Sequence, residues 1–301
     1  MSSHSYIAKP ENEDIFININ GELFHRSEAK ISVFDSGFLL GDGVWEGIRL
    51  HKKTLVFIEE HIDRLFASAQ GISLDIPLSR QEIIDELNKV LIKNNMHDNI
   101  HIRLIVSRGD KITPYQNPNA NVGPINFVII PEHKKANPET YTKGLTIGRV
   151  PNVRPNESIL SPHYNTLSKL NCILASIEAN KHGYDEGIMN DINGNISTCN
   201  STNLFFIQDN TVITSTGEYC LNGITREKTI RLCHENNIQC NETDFTFQDI
   251  ENCDEAFVTG TFGGIIPVAK LEKKALKSTN SSSMVNKIRK FYNKKIEEYI
   301  G

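Results

Sequence analysis

Two lysines stand in the stretch HYNTLSKLNCILASIEANKHGYDEG, residues 163–187. Lys169 falls where the apolar spacing turns helical, and Lys181 lies near the end of that helix. A lysine at a helix start is either a solvated surface group or an amine that bonds a cofactor. Other segments carry groups suited to an anion. NGITRE places Gly223, Ile224 and Thr225 at the start of a helix, where backbone N–H groups and the helix dipole favour negative charge. A threonine there is equally an ordinary N-cap. VTGTFGG ends a strand at Thr261, which either joins the same anion or makes a tight turn. Arg64, inside EHIDRLFASA, reads as a bidentate phosphate ligand or as a surface arginine.

In GDGVWEGIRL the strand alternation puts Trp45 and Arg49 on one face and Glu46 on the other. Arg103 lies inside the apolar strand IHIRLIV. A charge there needs a partner or a polar cavity, so Arg103 is either half of an ion pair or part of a substrate site.

The elements that must position these groups fall into two halves. Asn20-Gly21 between alternating runs predicts a hairpin, and His51–Lys53 predicts a second turn. The period then changes: Ile62, Leu65, Phe66 and Ala69 share one helical face. A second helix opens on the capping box Ser79 and Glu82, with Ile83, Leu87, Val90 and Leu91 inside. Two strands follow. The polar segment EHKKANPETYTKG then reads as a linker, giving a small α+β domain over 1–132, a linker over 133–144 and a larger domain over 145–301. In the second half, short strands alternate with helices at the stretch that Lys169 begins and that ends near Lys181, at TREKTIRLCHENNI and at the charged C-terminal SMVNKIRKFYNKKIEEYI.

The 301 residues are 39% hydrophobic and 23% charged, as in soluble globular proteins. A net charge of −5 with no basic block argues against nucleic acid as a partner. The polar N-terminus and the lack of a long apolar run predict neither a signal peptide nor a membrane span. Six scattered cysteines without ligand spacing read as reduced thiols in a cytoplasmic protein, with no metal site.

GDGVWEGIR, EHIDRLFASA, ASIEANKHGYDEG, STNLFFI, LNGITRE and DEAFVTGTFGGIIPV occur in the order seen in class IV aminotransferases, so the chain resembles that family over residues 14–270. These are pyridoxal-phosphate enzymes of fold type IV, and GVWEGIR and HIRLIV look most like their branched-chain members. The resemblance implies an α+β N-terminal domain followed by a larger α/β C-terminal domain, with the cofactor between them, in a homodimer. It implies a transaminase that moves an amino group between a branched-chain-like amino acid and a 2-oxo acid. Arg64, Ile224, Thr225 and Thr261 would hold the cofactor phosphate, and Trp45 and Arg103 would line the substrate pocket. Two positions depart from the family pattern. Aligned without a gap, the family's lysine falls on Asn165, with Lys169 one turn later, and its glutamate falls on Thr198. Either Lys169 replaces the usual lysine, or Asn165 truly holds its place and the chemistry is that of a lyase or needs no cofactor. A threonine can only hydrogen-bond a neutral pyridine ring, whereas a carboxylate keeps it protonated.

Overall fold

The computed structural model describes residues 3–7 and 9–301. The first half builds a six-stranded, wholly antiparallel sheet. Its strands are β1 (Phe16–Ile19), β2 (Glu22–His25), β3 (Gly43–His51), β4 (Thr54–Val56), β5 (Ile100–Ser107) and β6 (Asn126–His133), in the spatial order β2-β1-β6-β5-β3-β4. Both expected hairpins form. Asn20 and Gly21 take positive φ, 53° and 86°, as do Lys52 and Lys53 at 46° and 69°. Paired positive φ values match the turn twist to that of the strands.

Two helices, α1 (Ile58–Gly71) and α2 (Arg80–Lys93), cover one face of this sheet. Ser79 and Glu82 form the expected reciprocal cap. Ile62, Leu65 and Ala69 of α1 and Ile83, Leu87, Val90 and Leu91 of α2 pack on Val44, Ile48, Leu50 and Ile102. The alternation of β3 therefore sends Val44, Glu46 and Ile48 toward the helices. Trp45, Gly47 and Arg49 face the other way, toward the second half.

The second half is a nine-stranded mixed sheet. Its strands are β7 (Leu145–Val153), β8 (Glu186–Asn190), β9 (Ile196–Cys199), β10 (Asn203–Gln208), β11 (Thr211–Thr214), β12 (Cys240–Glu242), β13 (Glu255–Gly260) and β14 (Gly264–Leu271). They run in the order β9-β8-β7-β14-β13-β10-β11-β12, and Lys274–Ala275 pairs with β14. The α/β character lies in two parallel crossovers. Helix α3 (Leu170–Lys181) joins the parallel pair β7 and β8, and α4 (Ile224–Glu235) joins β11 and β12. The C-terminal helix α5 (Met284–Ile300) buries Val285, Ile288, Tyr292 and Ile296 among Phe205, Phe257 and Ile265. Val56 and Phe57 join that cluster from the first half. Between the sheets, the segment read as a linker carries a two-residue strand paired with Tyr6–Ile7 and a helix over Glu139–Lys143.

Helix α1 carries Arg64, so its seat on the sheet sets where that guanidinium stands. Leu65 is fully buried beneath it. Leu65→Ala should cost about 2–5 kcal/mol of unfolding free energy, read from denaturant titration. A loss below about 1 kcal/mol would mean α1 is not anchored through this residue.

Candidate active site

A cavity of about 570 Å³ opens between the two sheets. Strand β3 supplies Trp45 and Gly47, and β5 supplies His101 and Arg103. Arg64 reaches it from α1, Thr198 from β9, and Thr259 and Thr261 from the end of β13. The N-terminus of α4 brings Gly223, Ile224 and Thr225. The nine candidate site residues, Trp45, Arg64, Arg103, Asn165, Lys169, Thr198, Ile224, Thr225 and Thr261, line this one space, whereas Arg49 and Lys181 are not among its lining residues.

Strand β3 also fixes the segment before α3. Leu167 N donates to Gly43 O at 2.9 Å, and Trp45 N donates to Asn165 O at 3.0 Å. The Trp45 indole N–H donates to Thr166 O at 3.1 Å. Gly43 permits the approach, since a Cβ there would meet Val106 O at 2.4 Å. Asn165 is thus held rigidly. Its N–H donates to Ser68 Oγ at 3.0 Å and its Nδ2 to Trp45 O at 2.7 Å. Its Oδ1 is buried with no partner among the described residues, as is the hydroxyl of Thr259.

Lys169 caps the N-terminus of α3, one residue before the helix begins. Its Nζ lies 5.6 Å from the Trp45 ring centre. Burial brings its pKa down to about 8; Cys172 opposes the shift, and Arg154 and Arg64 add to it. Positive neighbours and lost water both disfavour the ammonium form. Thr198 is buried and donates its hydroxyl proton to Thr202 O at 2.7 Å. That proton is committed, so the hydroxyl offers only lone pairs to anything else.

Arg64 is anchored rather than free. Its Nε and Nη2 each donate to Glu46 at 2.8 Å, and its Nη1 points to Asn222 O at 3.5 Å. Glu46 is fully buried, and its Oε2 also pairs with His61 Nδ1 at 2.7 Å. Burial alone would raise its pKa, but Arg64 and His61 outweigh that and hold the carboxyl below its usual range. Arg103 stacks over Trp45, 3.7 Å from the ring centre, and makes no ion pair with a described residue.

Sequence reading missed several lining residues. His101 sits two positions before Arg103 on the same strand face, which the period of two makes findable. Arg154 lies in the proline-rich loop, where no periodicity points anywhere; its Nη1 contacts Cys172 Sγ at 3.0 Å. His4 arrives from the N-terminal segment and stacks on Phe262 at 6.0 Å, which no local pattern signals. Burial lowers the pKa of His4 to about 4 and of His101 to about 3, so both are neutral near pH 7. Among the described lining residues are Arg64, Arg103, Arg154 and Lys169, and no aspartate or glutamate. Glu186 lies behind the wall and accepts hydrogen bonds from Ser201 Oγ at 2.5 Å and Thr202 Oγ1 at 3.2 Å.

A strand-linked cavity of this kind, with a helix N-terminus and an arginine at one end and a lysine at another, sits in a fold of known lineage. The family model for amino-transferase class IV matches residues 43–271, and the chain belongs to that family, with its fold type IV architecture. It is 34% identical over 293 residues to the branched-chain-amino-acid aminotransferase-like protein 1 of Arabidopsis thaliana, covering 96% of this chain and 52% of that protein. The chain thus spans about half the length of that relative. It is 33% identical over 276 residues to the putative branched-chain-amino-acid aminotransferase of Methanocaldococcus jannaschii, covering 91% of this chain and 93% of that protein. The crystal structure of the Escherichia coli branched-chain amino acid aminotransferase superposes with a TM-score of 0.85 at 26% identity, over 92% of this chain and 93% of that one.

The Glu46 cluster makes a testable demand. A carboxyl whose pKa is depressed by folding adds stability above its unfolded pKa of about 4.3, and that stability is lost as pH falls through the folded value. Glu46→Gln should cost about 3–5 kcal/mol near neutral pH, because the Arg64 charge loses its buried partner. It should also flatten the decline in stability below about pH 4. Denaturant titrations of both proteins at the two pH values decide it; equal stability throughout would contradict the ion pair.

Proposed function

We propose that the chain is a pyridoxal-phosphate-dependent aminotransferase that moves an amino group between a branched-chain-like amino acid and a 2-oxo acid, with Lys169 as its reacting amine. One observation carries this reading: the Lys169 amine opens onto the same cavity as the anion cradle of Arg64, Ile224, Thr225 and Thr261. The residues fit the cofactor at its phosphate end. The α4 N-terminus offers N–H groups without intrahelical partners. Gly223 lets the chain turn closely, since a Cβ there would meet Asn203 Oδ1 at 2.4 Å. The unpartnered Thr259 hydroxyl lies beside Thr261 and calls for a polar occupant. Pyridoxal phosphate bound there supplies a carbonyl that takes up the amino group and a conjugated ring that accepts electrons as a Cα proton leaves.

Lys169 holds and moves that proton. With a pKa of about 8, roughly a tenth of it is neutral at pH 7, against under about one part in a thousand for an ordinary lysine. Arg103, flattened on Trp45, pairs with the substrate carboxylate, and the indole packs its side chain. Thr198 supplies no charge, so ring protonation is weaker than beside a carboxylate.

A second reading rests on Asn165. Its rigid hold by Trp45 and Ser68 fits a residue that occupies the lysine's place, and the chain would then run lyase or cofactor-independent chemistry. As to partners, a homodimer is supported by Leu170, Ile173, Leu174 and Ile177, which leave the outer face of α3 apolar and exposed.

Covalently held pyridoxal phosphate absorbs visible light, so the protein mixed with cofactor should be coloured. Lys169→Ala should abolish both the colour and transamination of a branched-chain amino acid with 2-oxoglutarate, and Asn165→Ala should keep the colour. In wild type the colour should develop faster as pH rises toward about 8, where the amine loses its proton. A coloured Lys169→Ala protein would remove the lysine from its role. A wild-type protein that binds the cofactor without colour would favour the second reading.

A further inference from the structure

A second cavity, of about 370 Å³, lies on the same face of the first sheet, beyond Arg49. Its charge is one-sided. Arg49, Lys134 and Arg289 line it, and none of the three makes an ion pair or side-chain hydrogen bond with a described residue. Arg49 and Arg289 are only half-exposed, and Lys134 is half-buried. Lys134 feels a nearby carboxylate, that of Glu132, which does not reach it as an ion pair, and partly desolvated cations without a paired anion are costly to keep. The one acid among the described residues of the wall, Glu297, is already engaged by Lys52 at 2.6 Å and His51 at 3.4 Å.

The rest of the wall is rigid and aromatic. The Arg289 guanidinium lies 5.1 Å from the Tyr141 ring centre, and the Lys134 Nζ lies 4.7 Å from that of Phe262. Tyr141 donates to Gly263 O at 2.9 Å, and the buried Tyr292 hydroxyl meets Thr225 Oγ1 at 3.4 Å. Both tyrosines thereby brace a wall that the two cavities share at Phe262. The ring faces hold both cations in place against the wall.

We propose that this cavity is a second anion site, separate from the first, that takes a compact organic dianion, either a phosphate monoester or a dicarboxylate. Two separated guanidinium forks and an ammonium match two negative charges on one small molecule, and Asn99 and Asn293 on the rim offer neutral hydrogen bonds. The site does not depend on the reaction assigned to the first cavity.

Calorimetric titration tests it, on the protein alone and again with one equivalent of pyridoxal phosphate per chain, so that a phosphate site in the first cavity is filled without free monoester competing for the second. One arm uses glycerol 3-phosphate and the other succinate. At least one should bind saturably at one per chain, and the arm that does identifies the source. Arg289→Glu and Arg49→Met should each weaken that binding about tenfold or more, the scale of one charge-assisted pair, with the melting temperature of each variant compared with wild type. Arg154→Ala, in the first cavity, should leave it unchanged. Absence of binding in both arms, binding that survives both variants, or binding lost with Arg154→Ala would overturn the site.

Discussion

Everything at the cavity hangs on the first few residues of strand β3, which are bonded through their backbone to the segment 165–167. Leu167 N to Gly43 O and Trp45 N to Asn165 O make that segment a short extension of the first sheet, although it belongs to the second half of the chain. The same strand grips α1 from its other face through Glu46 and Arg64. Helix α3 starts where the extension stops, so Lys169 inherits its position from strand β3. A shift of that strand would move the amine, the arginine and the aromatic wall together.

Charge decides what such a site can hold. Arg64 is neutralised by Glu46, but Arg103 and Arg154 make no ion pair with a described residue, and Lys169 is kept partly neutral by burial. The lining therefore favours an occupant with several negative charges. Among the described residues that line the cavity there is no carboxylate. Thr198 is uncharged and donates its hydroxyl proton to Thr202 O at 2.7 Å. The amine and the threonine push in different directions. On the reading proposed above, the lowered pKa of Lys169 suits a reacting amine, while an uncharged Thr198 beside the ring would leave that ring a weaker electron sink.

Much of this was legible in the sequence for local reasons. Asn20-Gly21, Ser79 with Glu82, and the stripe through Leu65 are short-range signals, and each gave the element observed. The strand period of two put Trp45 and Glu46 on opposite faces, and the structure uses both faces. The ordered motifs gathered nine residues that meet in one cavity. What stayed hidden was long-range. Nothing near Arg64 says that Glu46, 18 residues earlier, would take up most of its guanidinium. His4 reaches the cavity only because its segment pairs with Lys135–Ala136. The pinning of Asn165 depends on backbone bonds to a strand 120 residues away, and backbone bonds leave no trace in side-chain pattern.

The central claim is that Lys169, not the pinned Asn165 position, carries the reacting amine. Borohydride reduction of the protein with pyridoxal phosphate, followed by peptide mapping, addresses it directly. The account predicts a single stoichiometric adduct on Lys169, formed more readily as pH approaches about 8. No adduct, or scattered substoichiometric labelling of surface lysines with Lys169 unmodified, would contradict it.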